Sequence, residues 1–300
     1  MRIRRSFQKY WQFYICIIPV IAYFVIFHYM PMYGVQIGFR DYNPVDGVSR
    51  SPFVGLKHFL RFFNSYQFSR VITNTAGISL YQLAVAFPMP IILAILLSEL
   101  RSNRFRKTMQ MLTYAPHFLS VVVIVGMMTT MLSPRTGIVN FALRAAGFES
   151  IFFMAEPTWF KTLYVFSGIW QNCGWSSIIY IAAIAGIDPN LFEAAIVDGA
   201  STFRRIIHIT IPSIMPTIVI LLILQCGQIM SVGFEKVFLM QNNINMPASD
   251  VISTYVYRAG LLNAQISFAS AVGLFNSVIN CTLLVIVNQI ARKKGETSLF

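Results

Sequence analysis

Few side chains in this sequence are equipped for chemistry, and most of those carry amides, hydroxyls and indoles. An apolar run from Lys161 to Gly186 contains Trp170, Gln171, Asn172, Trp175, Ser176 and Ser177. A second, Ser213 to Phe234, holds Gln225, Gln228 and Ser231, and a third, Phe268 to Ile290, holds Asn276 and Asn280. Amides hydrogen-bond without carrying charge, and indole rings stack and offer one N–H. Together such groups hold a polar solute that is neutral or weakly charged. Gln225 and Gln228, three apart, share a helix face with Ser231. An amide in an apolar run is costly unless it faces a partner or a water-filled cavity. The competing assignment is structural: helix–helix hydrogen bonds and a tryptophan belt at a membrane surface. No Arg or carboxylate lies in the middle of these runs. That argues against a proton-coupled pump and a strongly charged translocation site.

Covalent and metal chemistry are not suggested. The acidic residues fall mostly in loops, with no Ser/His/Asp arrangement and no phosphate-cradling Gly-rich loop. No Walker A sequence is present, so the chain is not expected to be an ATPase itself. His28, His58, His117 and His208 are scattered, which suggests no metal site. Cys16, Cys173, Cys226 and Cys281 all sit in apolar runs, and no disulfide is expected.

One polar stretch interrupts the apolar pattern, from Ile187 to Pro216. Asp188 suits a helix N-cap and Pro189 the first helical position. Leu191, Phe192, Ala195 and Ile196 recur at helical spacing. Ala194 and Ala195 are small and admit close approach. Gly199 suits a left-handed helix stop. A second segment follows from Ser201, with Phe203, Ile206, Ile207 and Thr210 beside Arg204 and Arg205.

The elements that position these groups are membrane spans. Of 300 residues, 56% are hydrophobic and 11% charged, with a net charge of +12; a soluble domain carries about 25% charged residues. Six spans are expected: Trp11 to Tyr29, Val71 to Leu97, Gln110 to Leu132, Lys161 to Gly186, Ser213 to Phe234 and Phe268 to Ile290. The first is near 19 residues, long enough to cross, and lacks the Ala-x-Ala site of a signal peptide. Pro88, Pro90 and Pro116 fall within spans, where neighbours must satisfy the freed carbonyls. Outer loops are expected at Pro31–Ser69, Ser133–Phe160 and Lys236–Ile266. They would carry short surface helices at Phe53–Phe63, Ile138–Ala146 and Val251–Leu262. With the N-terminus inside, the inner segments hold Arg2, Arg4, Arg5, Lys9, Arg101, Arg104, Arg106, Lys107, Arg204, Arg205, Arg292, Lys293 and Lys294. These are about 13 basic residues in roughly 60 positions, against about 10 in roughly 100 outside, the sign of the positive-inside rule. The rule places Glu193 in the cytoplasm. Basic groups distributed this way give no support for nucleic-acid binding.

The polar stretch also carries a resemblance. Glu193, Ala194, Ala195, Gly199, Ile209 and Pro212 match, at the right spacing, the cytoplasmic loop signature of permease subunits in binding-protein-dependent ABC importers. Ile211 stands where that family usually has Leu. Asp198 and Ala200 beside Gly199 match the Asp-Gly-Ala form common in sugar importers. The wording AILLSEL (Ala94–Leu100) and YAPHFLS (Tyr114–Ser120) resembles the polysaccharide-type branch of the maltose-transporter-like permeases.

The resemblance implies an all-α integral membrane fold of the type I importer permease, with six spans and both ends cytoplasmic. Residues 1–10 would form an inner N-terminus and 11–290 the permease domain. The core would cover about 70–290, the coupling loop 187–212, and the tail 291–300. It implies that Glu193, Ala194, Ala195, Asp198, Gly199, Ala200 and Pro212 couple the chain to an ABC ATPase dimer, which binds ATP and Mg; this chain would hold no cofactor. It implies a second permease subunit, favoured as a different chain, and an extracytoplasmic sugar-binding protein. The solute would be an oligosaccharide in a path for which Trp170, Asn172, Trp175, Gln225, Gln228 and Asn276 are candidates. The setting is the lipid bilayer of the cytoplasmic membrane. Alternatives are another solute for the same fold, such as a glycerol-phosphate, or a membrane enzyme acting on lipid-linked sugars. The enzyme would need clustered acidic or histidine groups near one membrane face, and none is visible. A secondary transporter or channel would show inverted repeats or mid-span charges.

Overall fold

The computed structural model describes residues 2–293 and 298, with backbone alone for residues 2–9. Lys294 of the basic C-terminal segment lies outside the described residues, as does most of the expected tail. Among the described residues there is no β-strand, only a single bridge between Arg40 and Phe53. Four helices are long and apolar enough to cross a membrane: α1 (Tyr10–Phe39), α3 (Gln67–Ser98), α9 (Thr202–Cys226) and α12 (Ile266–Lys293). Two bent pairs raise the number to six if each pair is one span. The first is α4 (Asn103–Tyr114) with α5 (Val121–Met131), joined through a tight turn at Ala115–Phe118; the second is α7 (Pro157–Ala185) with α8 (Pro189–Val197). Shorter helices are α2 (Lys57–Phe63), α6 (Ile138–Ala145), α10 (Phe234–Met240) and α11 (Ile252–Tyr257).

The chain divides into two compact units. One comprises the residues up to Ser65 together with Val256–Phe275. In the apolar window of α1 nothing is buried, as expected of a helix whose neighbour is lipid. The helix runs on to Phe39, beyond the expected end at Tyr29, as a π-turn and then a 3-10 segment. Gly38 is needed there, because a Cβ would come 3.2 Å from the Ala271 backbone. The following loop is pinned by its polar groups. The Tyr42 N–H donates to Ser267 Oγ at 2.8 Å, and Arg61 donates to Gln265 Oε1 at 2.9 Å. Phe62 is buried edge-on against Phe268 and Phe275. Lys57 donates to Asp41 at 2.7 Å, and that bond holds the Asp41 carboxyl below the usual carboxylate range.

The second unit spans Tyr66–Tyr255 and the rest of α12 from Asn276. Its core gathers Ile78, Val125, Phe160, Tyr164, Val165, Val232, Val237, Met240 and Val251. The Lys236–Ile266 connection, expected as an outer loop, contributes heavily to this core: Val237, Asn245, Ser249, Asp250, Val251 and Ile252 are all buried. Its turn-forming residues are what make burial affordable. Asn245 donates to Met154 O and Met240 O, and Asn74 donates to Pro247 O and Asp250 O. Each amide thereby satisfies backbone carbonyls that no helix ladder reaches.

Two expected spans differ in detail. Gln110–Leu132 is not one straight helix, because α4 and α5 meet at 98°. Pro116 lacks the N–H to continue the ladder, Leu119 is extended, and Ser120 caps α5 by accepting from the Val123 N–H. The helix expected over Ser213–Phe234 begins earlier, at Thr202, and stops at Cys226. Gly227 then passes so close to Leu284 that a Cβ would meet its side chain.

Candidate functional site

Two parts of the second unit carry the residues singled out above. The first is the turn from α7 through α8 into α9, where α7 and α8 meet at 71°. Asp188 caps α8 by accepting from the Asn190 N–H at 3.0 Å, with Pro189 in the first position. The helix ends at Gly199, whose φ is +74°. The Ala200 N–H reaches Ala195 O at 2.8 Å and the Gly199 N–H reaches Ile196 O at 3.0 Å. This paired closure of orphan carbonyls is the Schellman arrangement, for which a left-handed residue is required. Ser201 caps the next turn through the Arg204 N–H, and Arg205 donates to Ala200 O.

No residue of α8 is buried. Glu193 is exposed and makes no hydrogen bond or ion pair among the described residues. Around it Leu191, Ile196 and Phe203 are exposed, and Val197 is 87% exposed. Ala194 and Asp198 are also exposed, while Ala195 and Ala200 are half-buried. Pro212 lies inside α9, just after the π-turn Ile206–Thr210, and its missing N–H removes one ladder bond to that turn.

The second part is a cleft of about 660 Å³ enclosed by α3, α7 and α9. Gln82, Asn172, Trp175, Ser176, Gln225 and Gln228 supply its polar wall, and Phe87, Ile179 and Leu224 its apolar wall. A smaller polar pocket of about 120 Å³ shares Gln82, Gln225 and Gln228 and adds Ser79, Tyr164 and Ser231. Gln82 enters the wall at a π-turn, Gln82–Ala86, just before Pro88. Trp175 is fixed by a parallel stack on His117, with centroids 4.6 Å apart, and His117 Nδ1 lies 3.1 Å from Asn172 Oδ1. Gly174, on the same helix, packs so tightly on Thr113 that no Cβ fits.

Four of the six candidates thus meet in one cleft: Asn172, Trp175, Gln225 and Gln228. Trp170 and Asn276 do not line it. Trp170 is exposed and points away from the cleft, on another face of α7. Asn276 is half-buried, with an Oδ1 that has no hydrogen-bond partner. Gln171, Ser177 and Asn280 are structural. They donate to Leu119 O, Gly174 O and Ser231 Oγ respectively, and Asn280 also accepts from the Met230 N–H. Gln82 was missed because nothing in its run separates it from Asn74, Thr75 and Ser79; only the prolines after it mark the irregular turn that exposes it. Lys236 was missed because its neighbours read as a loop. It is 8% exposed, donates to Tyr164 O at 3.0 Å and sits 4.9 Å from the Tyr164 ring centre. Among the described residues no group of His, Cys, Asp or Glu is placed to hold a metal.

Residues 86–295 match the family described as binding-protein-dependent transport system inner membrane component. The chain belongs to that family. It is 42% identical, over 98% of its length and 91% of the relative's, to the polygalacturonan/rhamnogalacturonan transport system permease protein YteP of Bacillus subtilis (strain 168). It superposes, with a TM-score of 0.90 and 40% identity, on a chain of a bacterial ABC transporter involved in the import of the acidic polysaccharide alginate, covering 98% of this chain and 99% of that one. A second alginate transporter structure, in complex with alginate pentasaccharide-bound periplasmic protein, matches over all of both chains with a TM-score of 0.91 and 39% identity. The chain is therefore a multi-pass membrane permease of the ABC importer type, a transport subunit with the type I permease fold.

Proposed function

We propose that this permease carries an oligosaccharide across the cytoplasmic membrane, received from an extracytoplasmic binding protein and driven by a separate ATPase dimer. The carrying observation is mechanical. α7 and α9 line the cleft with Asn172, Trp175 and Gln225, and the same two helices flank α8. Trp175 is ten residues from the end of α7, roughly 15 Å of helix. A displacement of α8 would then reach the cleft wall across two short turns and along the helices beyond them. The exposed Leu191, Ile196, Val197 and Phe203 around Glu193 supply the apolar surface an ATPase would cover.

In this reading the chain crosses the bilayer six times with both ends inside, each bent pair counting as one span. ATP and Mg are bound by the ATPase, and no nucleic acid is involved. A second permease, favoured as a different chain, completes the path. Closure of the ATPases on ATP tilts α8 and opens the cleft outward; hydrolysis restores the inward-facing state. The amides hydrogen-bond sugar hydroxyls, and Trp175, braced by His117, offers an aromatic surface for a sugar ring. Family membership, and relatives that carry polysaccharides, support the assignment.

The test is purification from the native membrane followed by reconstitution. An ATPase and a second permease should accompany the chain, and oligosaccharide-loaded binding protein should stimulate ATP hydrolysis. A chain that purifies alone, or a complex indifferent to every oligosaccharide offered, would overturn the reading.

A further inference from the structure

Two lysines, Lys161 and Lys236, lie close to one end of the cleft wall without lining it. Lys161, Tyr164, Gly168, Asn172 and Trp175 fall at intervals of three and four along α7 and therefore share a face. Tyr164 lines the small pocket, and Gly168 and Asn172 line the large cleft. The Lys236 ammonium lies behind this wall. It bonds Tyr164 O, faces the Tyr164 ring, and would stand 3.5 Å from a Cβ at Gly168. Because Gly168 has no side chain, little separates that ammonium from the cleft. Lys161, one turn earlier on α7, lays its own ammonium against Gly77 of α3, where a Cβ would come within 2.8 Å. Neither ammonium has a carboxylate within ion-pair distance among the described residues. The cleft itself is lined by no charged side chain. A buried ammonium with one carbonyl and one ring as partners is incompletely compensated, and an entering anion would complete it.

We propose that Lys236, backed by Lys161, reads charge in the cleft, favouring sugar units that carry a carboxylate over the same units neutralised. This departs from the expectation of a solute with little charge, which rested on the absence of Arg and carboxylates in mid-span. It rests on the oligosaccharide reading above and adds to it a residue that would discriminate uronate units from neutral ones. The contrasting role for Lys236 is a clamp that merely fastens α10 to α7.

The experiment compares uptake of trigalacturonate and its methyl ester by proteoliposomes of the complete transporter, wild type against Lys236→Gln and Lys236→Arg. The same binding protein delivers both sugars, so its own preference cancels between variants. The acid-to-ester uptake ratio should fall at least ten-fold in Lys236→Gln and stay within two-fold of wild type in Lys236→Arg. An unchanged ratio in Lys236→Gln, or an equal loss for both sugars, would overturn charge reading and leave the clamp. If Lys236→Gln fails to assemble, Gly168→Ala decides: its methyl, in ordinary contact with the ammonium, should lower the ratio about three-fold, and no change refutes the proposal. A wild-type transporter that imports neither sugar but does import a neutral oligosaccharide overturns this inference alone; one that imports no oligosaccharide overturns the oligosaccharide reading as well.

Discussion

The α8 turn and the cleft solve opposite problems with the same pair of helices. The turn buries nothing and presents apolar side chains outward around a free carboxylate. The cleft turns amides inward and rests on a layer of buried, hydrogen-bonded polar groups such as Gln171, Ser177 and Asn280. In the proposed reading the difference follows from what each would hold. A motor protein that stays bound throughout the cycle is best gripped by apolar area and one charge. A solute that must leave again is best held by several weak neutral bonds, each worth about 1 kcal/mol. The proposed reading thus puts a rigid grip at one end of the lever and a weak one along its length.

The comparison breaks most readily at the turn. Glu193→Lys should cut uptake at least ten-fold, the equivalent of about 1.4 kcal/mol or more of lost docking energy. Gly199→Val forces a β-branched residue to a φ of +74° and should do at least as much. Both variants should reach the membrane in normal amount, because no residue of α8 is buried. Uptake assays paired with ATPase co-purification check this. Normal uptake by both variants would remove the turn from the drive.

The scaffold behind the cleft is the next place to press. Asp250 is wholly buried and pairs with the one-third-exposed Arg70 at 3.0 Å. Arg70→Ala should destabilise the detergent-solubilised protein by about 2–3 kcal/mol, because a buried carboxylate loses its counter-charge. The effect should appear as a lowered Tm with little change in solute selectivity. The double substitution Gln225→Leu and Gln228→Leu should do the reverse, leaving Tm near wild type while raising the KM for uptake roughly five-fold per lost hydrogen bond. A large fall in Tm in the glutamine variant would recast the cleft wall as part of the scaffold.

How much of this was legible in the sequence follows the same division. The turn is local: cap, proline, small residues and glycine lie within 25 positions, and each acts through backbone geometry that spacing alone fixes. Its start and its glycine stop were readable, although the second segment, from Thr202, runs on as α9 to Cys226 instead of ending at a proline. The cleft is non-local. Asn172, Trp175, Gln225 and Gln228 could be picked as polar residues in apolar runs, but their type does not separate wall from scaffold. Trp170 and Asn276 have the same chemistry and lie elsewhere, because a shift of one or two residues rotates a side chain by 100° or more. Lys236 was hidden by the polar, turn-rich residues after it. Those residues are buried because their amides cap backbone carbonyls, a role that composition does not distinguish from solvent exposure.

The smallest expected effect is also the most direct probe of Lys236. The residue lies on α10, outside the candidate spans, and burial pushes its ammonium down to about 8 from an ordinary 10.5. A lysine whose value is lowered on folding binds fewer protons in the folded than in the unfolded state between those two values. Stability therefore carries the full cost of the buried charge below pH 8 and recovers as the pH rises toward 10.5. From pH 7 to pH 9 this contributes about 1 kcal/mol of added stability. Other groups titrate over the same range, so the useful quantity is the difference between wild type and Lys236→Met. The Tm of wild type should rise relative to that of the variant as pH goes from 7 to 9. Parallel curves would mean that the ammonium is better solvated than its burial suggests, which would weaken its reach into the cleft and erase part of the contrast with the open, solvent-facing turn.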